Sequence, residues 1–260
     1  MSWFYTWPTW VSLPLFVILF LAGSWAILLL ARPWVQRAAK NRKEWDRVLG
    51  YSITTYGLFY GILLALVAVA VYQNYSSVRE VVLAETSALA ALYRDVSGLS
   101  EPASGHLQSL LRSYTQHVIT VDWPLQRAGI IPGDGTAQVT EFQKVLFAYQ
   151  PKGSGQHAIY LQTIQSFNTF VGARRDRINE TTLAVPNLLW AVIWVGAVVN
   201  ALLISLIDVR KLPIHLVMSG LIAVYVGLLI YVTASLDHPY AGTVSIGPED
   251  FRTLLEQVMK

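Results

Sequence analysis

Four stretches of this chain are almost without charge. Residues 1–31, 48–78 and 181–207 contain no Asp, Glu, Lys or Arg, and 212–236 holds only His215 as a candidate cation. Crossing the hydrocarbon core of a bilayer takes roughly 20 consecutive apolar residues, and each stretch is long enough. Backbone polar groups in that medium must be satisfied within the segment, which a helix achieves. Over the 260 residues the charged fraction is 13%, about half of the quarter usual in soluble proteins. The sequence therefore predicts an all-α membrane protein: four transmembrane helices, with an extended helical extracytoplasmic domain between helices 2 and 3.

Basic residues set the expected orientation. Of 19 Lys and Arg, six (Arg32, Arg37, Lys40, Arg42, Lys43, Arg47) fall in one loop between two apolar spans. Such clustering marks the cytoplasmic side of a membrane, and it accounts for the net charge of +3 without nucleic acid as a partner. Arg210 and Lys211, between the third and fourth spans, fall on the same side after four crossings. The expected organisation follows: 1–31 N-terminal segment and first span, 32–50 basic cytoplasmic loop, 51–72 second span, 73–184 extracytoplasmic helical domain. Then come 185–207 third span, 208–212 cytoplasmic turn, 213–235 fourth span, and 236–260 extracytoplasmic tail. Both termini lie outside. No Lys or Arg precedes Arg32, so the first span reads as a retained helix and not as a cleaved signal peptide. The aromatic group Trp3, Phe4, Tyr5, Trp7 and Trp10 reads as an interfacial anchor.

Region 73–184 balances nine Lys/Arg against nine Asp/Glu, so it favours neither cations nor anions. Its apolar residues recur at three and four, the helical period. A first helix continues out of the second span along Val78, Val81, Val82, Leu89, Leu92 and Val96, and stops at Gly98. A second carries Leu107, Leu110, Leu111, Tyr114, Val118 and Val121 and ends before Pro124; a short third covers 137–148. A fourth, with Leu161, Ile164, Phe167, Val171 and Ile178 on one face, runs from about His157 unbroken into the third span. Two rods of some 40 residues, roughly 60 Å each, need neighbours, and self-assembly supplies them.

Few residues offer chemistry. Glu85 interrupts the stripe between Val82 and Leu89, where a carboxylate is costly unless paired. Arg174 and Arg175 stand at a similar distance from the third span, so a buried Glu85–arginine pair is expected, with lining of an ion vestibule as the other reading of Glu85. In the second span Gly57 and Gly61 form a small-xxx-small packing motif, and Asn200 in the third reads as an interhelical hydrogen-bonding group. Ser52, Thr55, Phe59 and Ile62 share one face, a hydroxyl-bearing mouth leading to an apolar constriction of the kind that gates pores by dewetting. His215 reads as an interfacial residue, and the scattered His106, His117, His157 and His238 define no metal site. The chain has no cysteine, which removes thiol chemistry, and no catalytic or nucleotide-binding motif is present. No enzyme and no cofactor are expected.

Several runs carry a family likeness: Val71-Tyr72-Gln73-Asn74-Tyr75, the segment Val78 through Glu85 to Leu92-Tyr93-Arg94, Asp122-Trp123-Pro124, Leu236-Asp237-His238-Pro239-Tyr240-Ala241-Gly242, then Ile246, Pro248 and Phe251. From about residue 45 onward the chain resembles the bacterial bestrophin-like domain membrane proteins. The resemblance implies kinship with bestrophins, pentameric chloride channels with a narrow apolar neck and a cytoplasmic soluble part, whereas the charge pattern puts the soluble part of this chain outside. Two functions are expected to compete. One is a homo-oligomeric ion channel of the bacterial inner membrane, whose partners are the lipid bilayer, copies of itself and inorganic ions. The other is a non-conducting, membrane-anchored sensor or scaffold.

Overall fold

A computed structural model describes residues 7–38, 42–133, 136–209, 211–242 and 244–260. Secondary structure is helical, with no strand among the described residues. The helices are α1 (Thr9–Ala38), α2 (Arg42–Ser97), α3 (Ala103–His117), α4 (Trp123–Arg127), α5 (Thr136–Ala148), α6 (Gly153–Asn179), α7 (Asn187–Ser205), α8 (Leu212–Leu236) and α9 (Glu249–Gln257). Four helical stretches are long and apolar enough to cross a membrane, and the protein is an integral membrane protein. Two compact units emerge: one takes the chain up to Gln73 with Ala184–Asp237, the other Asn74–Leu183 with His238–Lys260.

In the first unit, α1, the first part of α2, α7 and α8 bury Tyr60, Leu64, Val67, Val71, Ile193, Ala197, Val226 and Ile230 together. Polar side chains here serve helix contacts. Ser12 Oγ and the Tyr231 hydroxyl lie 2.7 Å apart, Trp25 Nε1 donates to the Leu216 carbonyl at 3.1 Å, and Trp45 Nε1 donates to that of Leu206 at 3.0 Å. His215 is buried and its Nε2 lies 3.1 Å from the Ile204 carbonyl, so it packs between helices instead of sitting at the interface. The basic stretch 32–50 is helical wherever it is described, since α1 runs to Ala38 and α2 starts at Arg42. Trp3, Phe4, Tyr5, Lys40 and Arg210 lie outside the described residues.

The expected rod from α6 into the third span is interrupted. A short 3-10 turn (Glu180–Thr182) and an extended stretch separate α6 from α7. Pro186 biases Val185 towards extended backbone. The Asp237 carboxylate then takes the freed groups, accepting from Val185 N–H at 2.7 Å and Trp190 Nε1 at 2.9 Å.

The second unit is organised by the C-terminal half of α2. Val78, Val82, Glu85, Leu89, Leu92 and Val96 form one fully buried stripe. It packs with Leu107, Leu111, Tyr114 and Val118, with Phe142, Phe167 and Phe170, and with Tyr240, Phe251 and Leu254 from the C-terminal segment. The helical path that begins with α3 passes Pro124, where the sequence predicts its end. It does so through a π turn (Val118–Asp122), in which Trp123 N–H reaches the Val118 carbonyl. Proline lacks an N–H and crowds the carbonyl four residues back, and the wider turn relieves that crowding.

Candidate functional site

Two arrangements carry the polar chemistry, one in each unit. In the first unit α2 uses one face for packing, with Tyr60, Leu64, Val67 and Val71 buried. Ser52, Thr55, Phe59 and Ile62 share a second face, roughly 130° around the helix at 100° per residue. All four are exposed, Phe59 at 67% and Ile62 at 49%. Ser52 and Thr54 donate to the carbonyls of Val48 and Gly50, at 3.0 and 2.9 Å, which lets hydroxyls sit on an apolar helix without unmet donors. A Cβ at Gly57 or Gly61 would meet nothing within 4 Å, so the glycine motif is open towards whatever lies beyond this chain.

The contact within the chain is made by tyrosines. Tyr56 donates to the Gly196 carbonyl at 2.5 Å and Tyr60 to that of Ile193 at 3.0 Å. Their rings stack at 5.6 Å. Gly196 is the residue that needs to be small, since a Cβ there would run into the Tyr60 ring. Asn200, one turn further along α7, is half-buried.

The second arrangement is a buried charge cluster. Arg177 on α6 is 0% exposed and its Nε donates to Glu85 Oε2 at 2.5 Å. Its Nη1 donates to Gln126 Oε1 at 2.5 Å and its Nη2 to Asp122 Oδ2 at 3.2 Å. Tyr114 donates to Glu85 Oε1 at 2.5 Å, Gln126 Nε2 to Thr181 Oγ1 at 2.8 Å, and the Tyr240 hydroxyl to the Arg177 carbonyl at 3.3 Å. Trp123 and Phe251 place their rings against the guanidinium at 5.8 and 5.7 Å. Burial opposes the charge on Arg177, yet Glu85, Tyr114 and Asp122 together outweigh it, and the guanidinium is held more firmly protonated than usual. Burial, reinforced by Glu85, pushes the Tyr114 phenol well up. Burial also raises that of Tyr240.

The arginine partner of Glu85 is thus Arg177, and neither Arg174 nor Arg175. The inward stripe of α6 is Thr163, Phe167, Phe170 and Arg177, one residue out of phase with the Val171–Ile178 face. Arg175 is exposed, while Arg174 lies over the Tyr114 ring at 6.0 Å and donates to Thr136 at 3.4 Å. Glu85 is fully buried with both oxygens engaged, so it does not line a vestibule. Spacing puts Tyr114 on an apolar stripe but does not single out Asp122, Gln126 or Tyr240. Asp122, Trp123, Tyr240 and Phe251 do belong to the family-like runs, and the fold gathers them around one guanidinium.

The family model of the Bestrophin-like domain matches residues 18–251 of this chain. Solved structures of a bacterial bestrophin homolog from Klebsiella pneumoniae share the fold. One point mutant of that homolog has a TM-score of 0.65 at 13% identity, covering 94% of this chain and 99% of that one. A second point mutant gives 0.62 at 14% over 92% and 98%, and a structure phased with zinc gives 0.60 at 15% over 92% and 97%. No curated protein matches the chain.

Proposed function

The chain belongs to the Bestrophin-like domain family, and from that premise we propose that it is a homo-oligomeric ion channel of the bacterial cytoplasmic membrane. The observation that carries this reading is the open face of α2. A span already packed along Tyr60, Leu64, Val67 and Val71 leaves Ser52, Thr55, Phe59 and Ile62 exposed on another side. Repeated around a symmetry axis, these residues make a ring of hydroxyls at one mouth and rings of Phe59 and Ile62 beyond it. An apolar constriction of that kind passes ions only when wetted. Gly57 and Gly61, open on the same helix, allow close approach of a neighbouring copy.

The basic stretch Arg32–Arg47 faces the cytoplasm in this reading, and region 73–184 with the 236–260 tail lies outside. Partners are the bilayer, further copies of the chain and inorganic ions; no catalysis is involved. The test is purified protein in planar bilayers under asymmetric salt. Single-channel steps with a defined reversal potential support the channel, and Phe59→Ala or Ile62→Ala should raise its conductance or open probability severalfold by making the constriction easier to wet. Silence across pH, voltage and salt, or a monomer in both detergent and lipid, overturns it in favour of a non-conducting sensor or scaffold.

A further inference from the structure

The buried cluster of the second unit is short of one positive charge. Glu85 and Asp122 set two fully buried carboxylates against the single guanidinium of Arg177. Glu85 has both oxygens engaged, by Tyr114 and Arg177. Asp122 Oδ2 accepts from Arg177, whereas Oδ1 has no hydrogen-bond donor among the described residues. What faces Oδ1 is Nε2 of His117, at 3.4 Å; the imidazole side chain is 17% exposed and the Asp122 side chain 0%. That ring nitrogen is itself buried and without a hydrogen-bond partner among the described residues.

The π turn creates this contact. On an α-helix, residues five apart point about 140° away from each other. A turn that closes one residue later brings such residues to the same side; His117 immediately precedes the π turn Val118–Asp122 and Asp122 ends it.

We propose that His117 and Asp122 together form a proton-binding site that completes the charge balance of the cluster. The protonated imidazolium supplies the missing cation to Oδ1, and the His117 side chain, 17% exposed, is not sealed from solvent. The other charged or titratable groups around the pair do not fill this role. Glu85 on α2 and Glu180 after α6 add negative charge, and the buried Tyr114 and Tyr240 stay neutral. Arg177 is already shared between Glu85 and Asp122 Oδ2, and Arg174 is turned to Tyr114 and Thr136. From α9 the ring of Phe251 packs on Arg177, while Glu249 and Arg252 pair with each other on the surface. An uncompensated buried carboxylate is costly, and the proton is held between these two groups only in the folded chain. Proton uptake therefore favours the folded second unit, which is firmest on the acid side of neutrality and loosens as pH rises and the proton leaves.

The test uses the full-length protein in detergent micelles, unfolded thermally at about pH 5.5 and about pH 8, on either side of the usual imidazole range. The wild-type midpoint should be lower at the higher pH by about 3 °C or more, and His117→Gln should abolish most of that difference. The other four histidines are unchanged between the two proteins, so the comparison isolates His117. Equal pH dependence in the two proteins overturns the proposal. Should His117→Gln fail to fold, hydrogen exchange of the wild type decides. Corrected for intrinsic rates, amides in 114–127 should exchange at least about threefold faster at the higher pH; equal protection overturns the site.

Discussion

Arg177 carries the largest consequences of any single side chain in the second unit. Arg177→Met keeps most of the stem and removes the charge, leaving the buried Glu85 carboxylate without its counter-ion and Asp122 with only His117 facing it. Breaking a buried pair from one side costs about 3–5 kcal/mol, which should lower the thermal midpoint by roughly 6–15 °C. Adding Glu85→Gln to that variant should recover part of the loss, because one uncompensated charge disappears. A second prediction concerns alkali. Burial keeps the Tyr114 and Tyr240 phenols neutral above their ordinary range, with Glu85 adding to the effect at Tyr114. An unfolded chain ionises its tyrosines from about pH 10. Stability linked to these phenols is therefore complete below that point and is lost as pH climbs further. Phenolate absorbance tests this. At about pH 11, still folded, Tyr114→Phe should form as many phenolates as wild type, and one fewer after unfolding. Glu85 was legible in the sequence because it breaks an apolar stripe. Its partner was not, because a guanidinium at the end of Phe167–Phe170 looks like the stripe's end. The remaining members come from three distant segments, which periodicity cannot bring together.

At the scale of elements, the contact between α2 and α7 rests on two phenols over one glycine. Gly196→Ala pushes a methyl group into the Tyr60 ring. That ring is stacked on Tyr56 and hydrogen-bonded to the Ile193 carbonyl, so it has little freedom to yield. Overpacking of this kind costs about 1–3 kcal/mol, and a lower denaturant midpoint in micelles should report it. Tyr60→Leu in the same protein should relieve the clash and restore part of the loss. Helix existence followed from hydropathy and period, as the buried Val78-to-Val96 stripe illustrates. Two proline effects were harder to read. Pro186 stops a helix where an apolar pattern carries straight on, and the stop is held by Asp237, which is remote in sequence. Pro124 looks like a terminator but is bridged by a π turn, because Val118 and Asp122 at the two ends of the widened turn, and Trp123 just beyond it, are buried and fix its path. Local signals name the breaker; the tertiary partner decides whether the helix breaks.

For the whole molecule, the sharpest choice is which side of the membrane each soluble segment occupies. Charge clustering argues that Arg32–Arg47 and Lys211 are cytoplasmic, and four crossings then put 73–184 outside. Kinship with bestrophins argues for the reverse, since their soluble part is cytoplasmic. The two arguments differ in kind. The first acts on this chain during insertion, through the cost of carrying Lys and Arg near span ends across the membrane. The second transfers an orientation along a fold, and a fold constrains which helices pack, not which end faces the cytoplasm. Charge should therefore prevail. The absence of cysteine makes the test clean, because any thiol introduced is the only one. Lys152 and Lys211 are both exposed, and each can be replaced singly by Cys. In intact spheroplasts a membrane-impermeant maleimide should label Lys152→Cys at once and leave Lys211→Cys unlabelled until the membrane is permeabilised. The opposite pattern would place the balanced helical region in the cytoplasm. It would also leave the basic stretch outside, against the rule that motivated the assignment. Equal labelling of both before permeabilisation would break the four-crossing scheme itself, since the two positions are separated by one span. Only the first outcome is compatible with an outer mouth formed by the far end of α2 and a hydroxyl-lined inner mouth at Ser52 and Thr55.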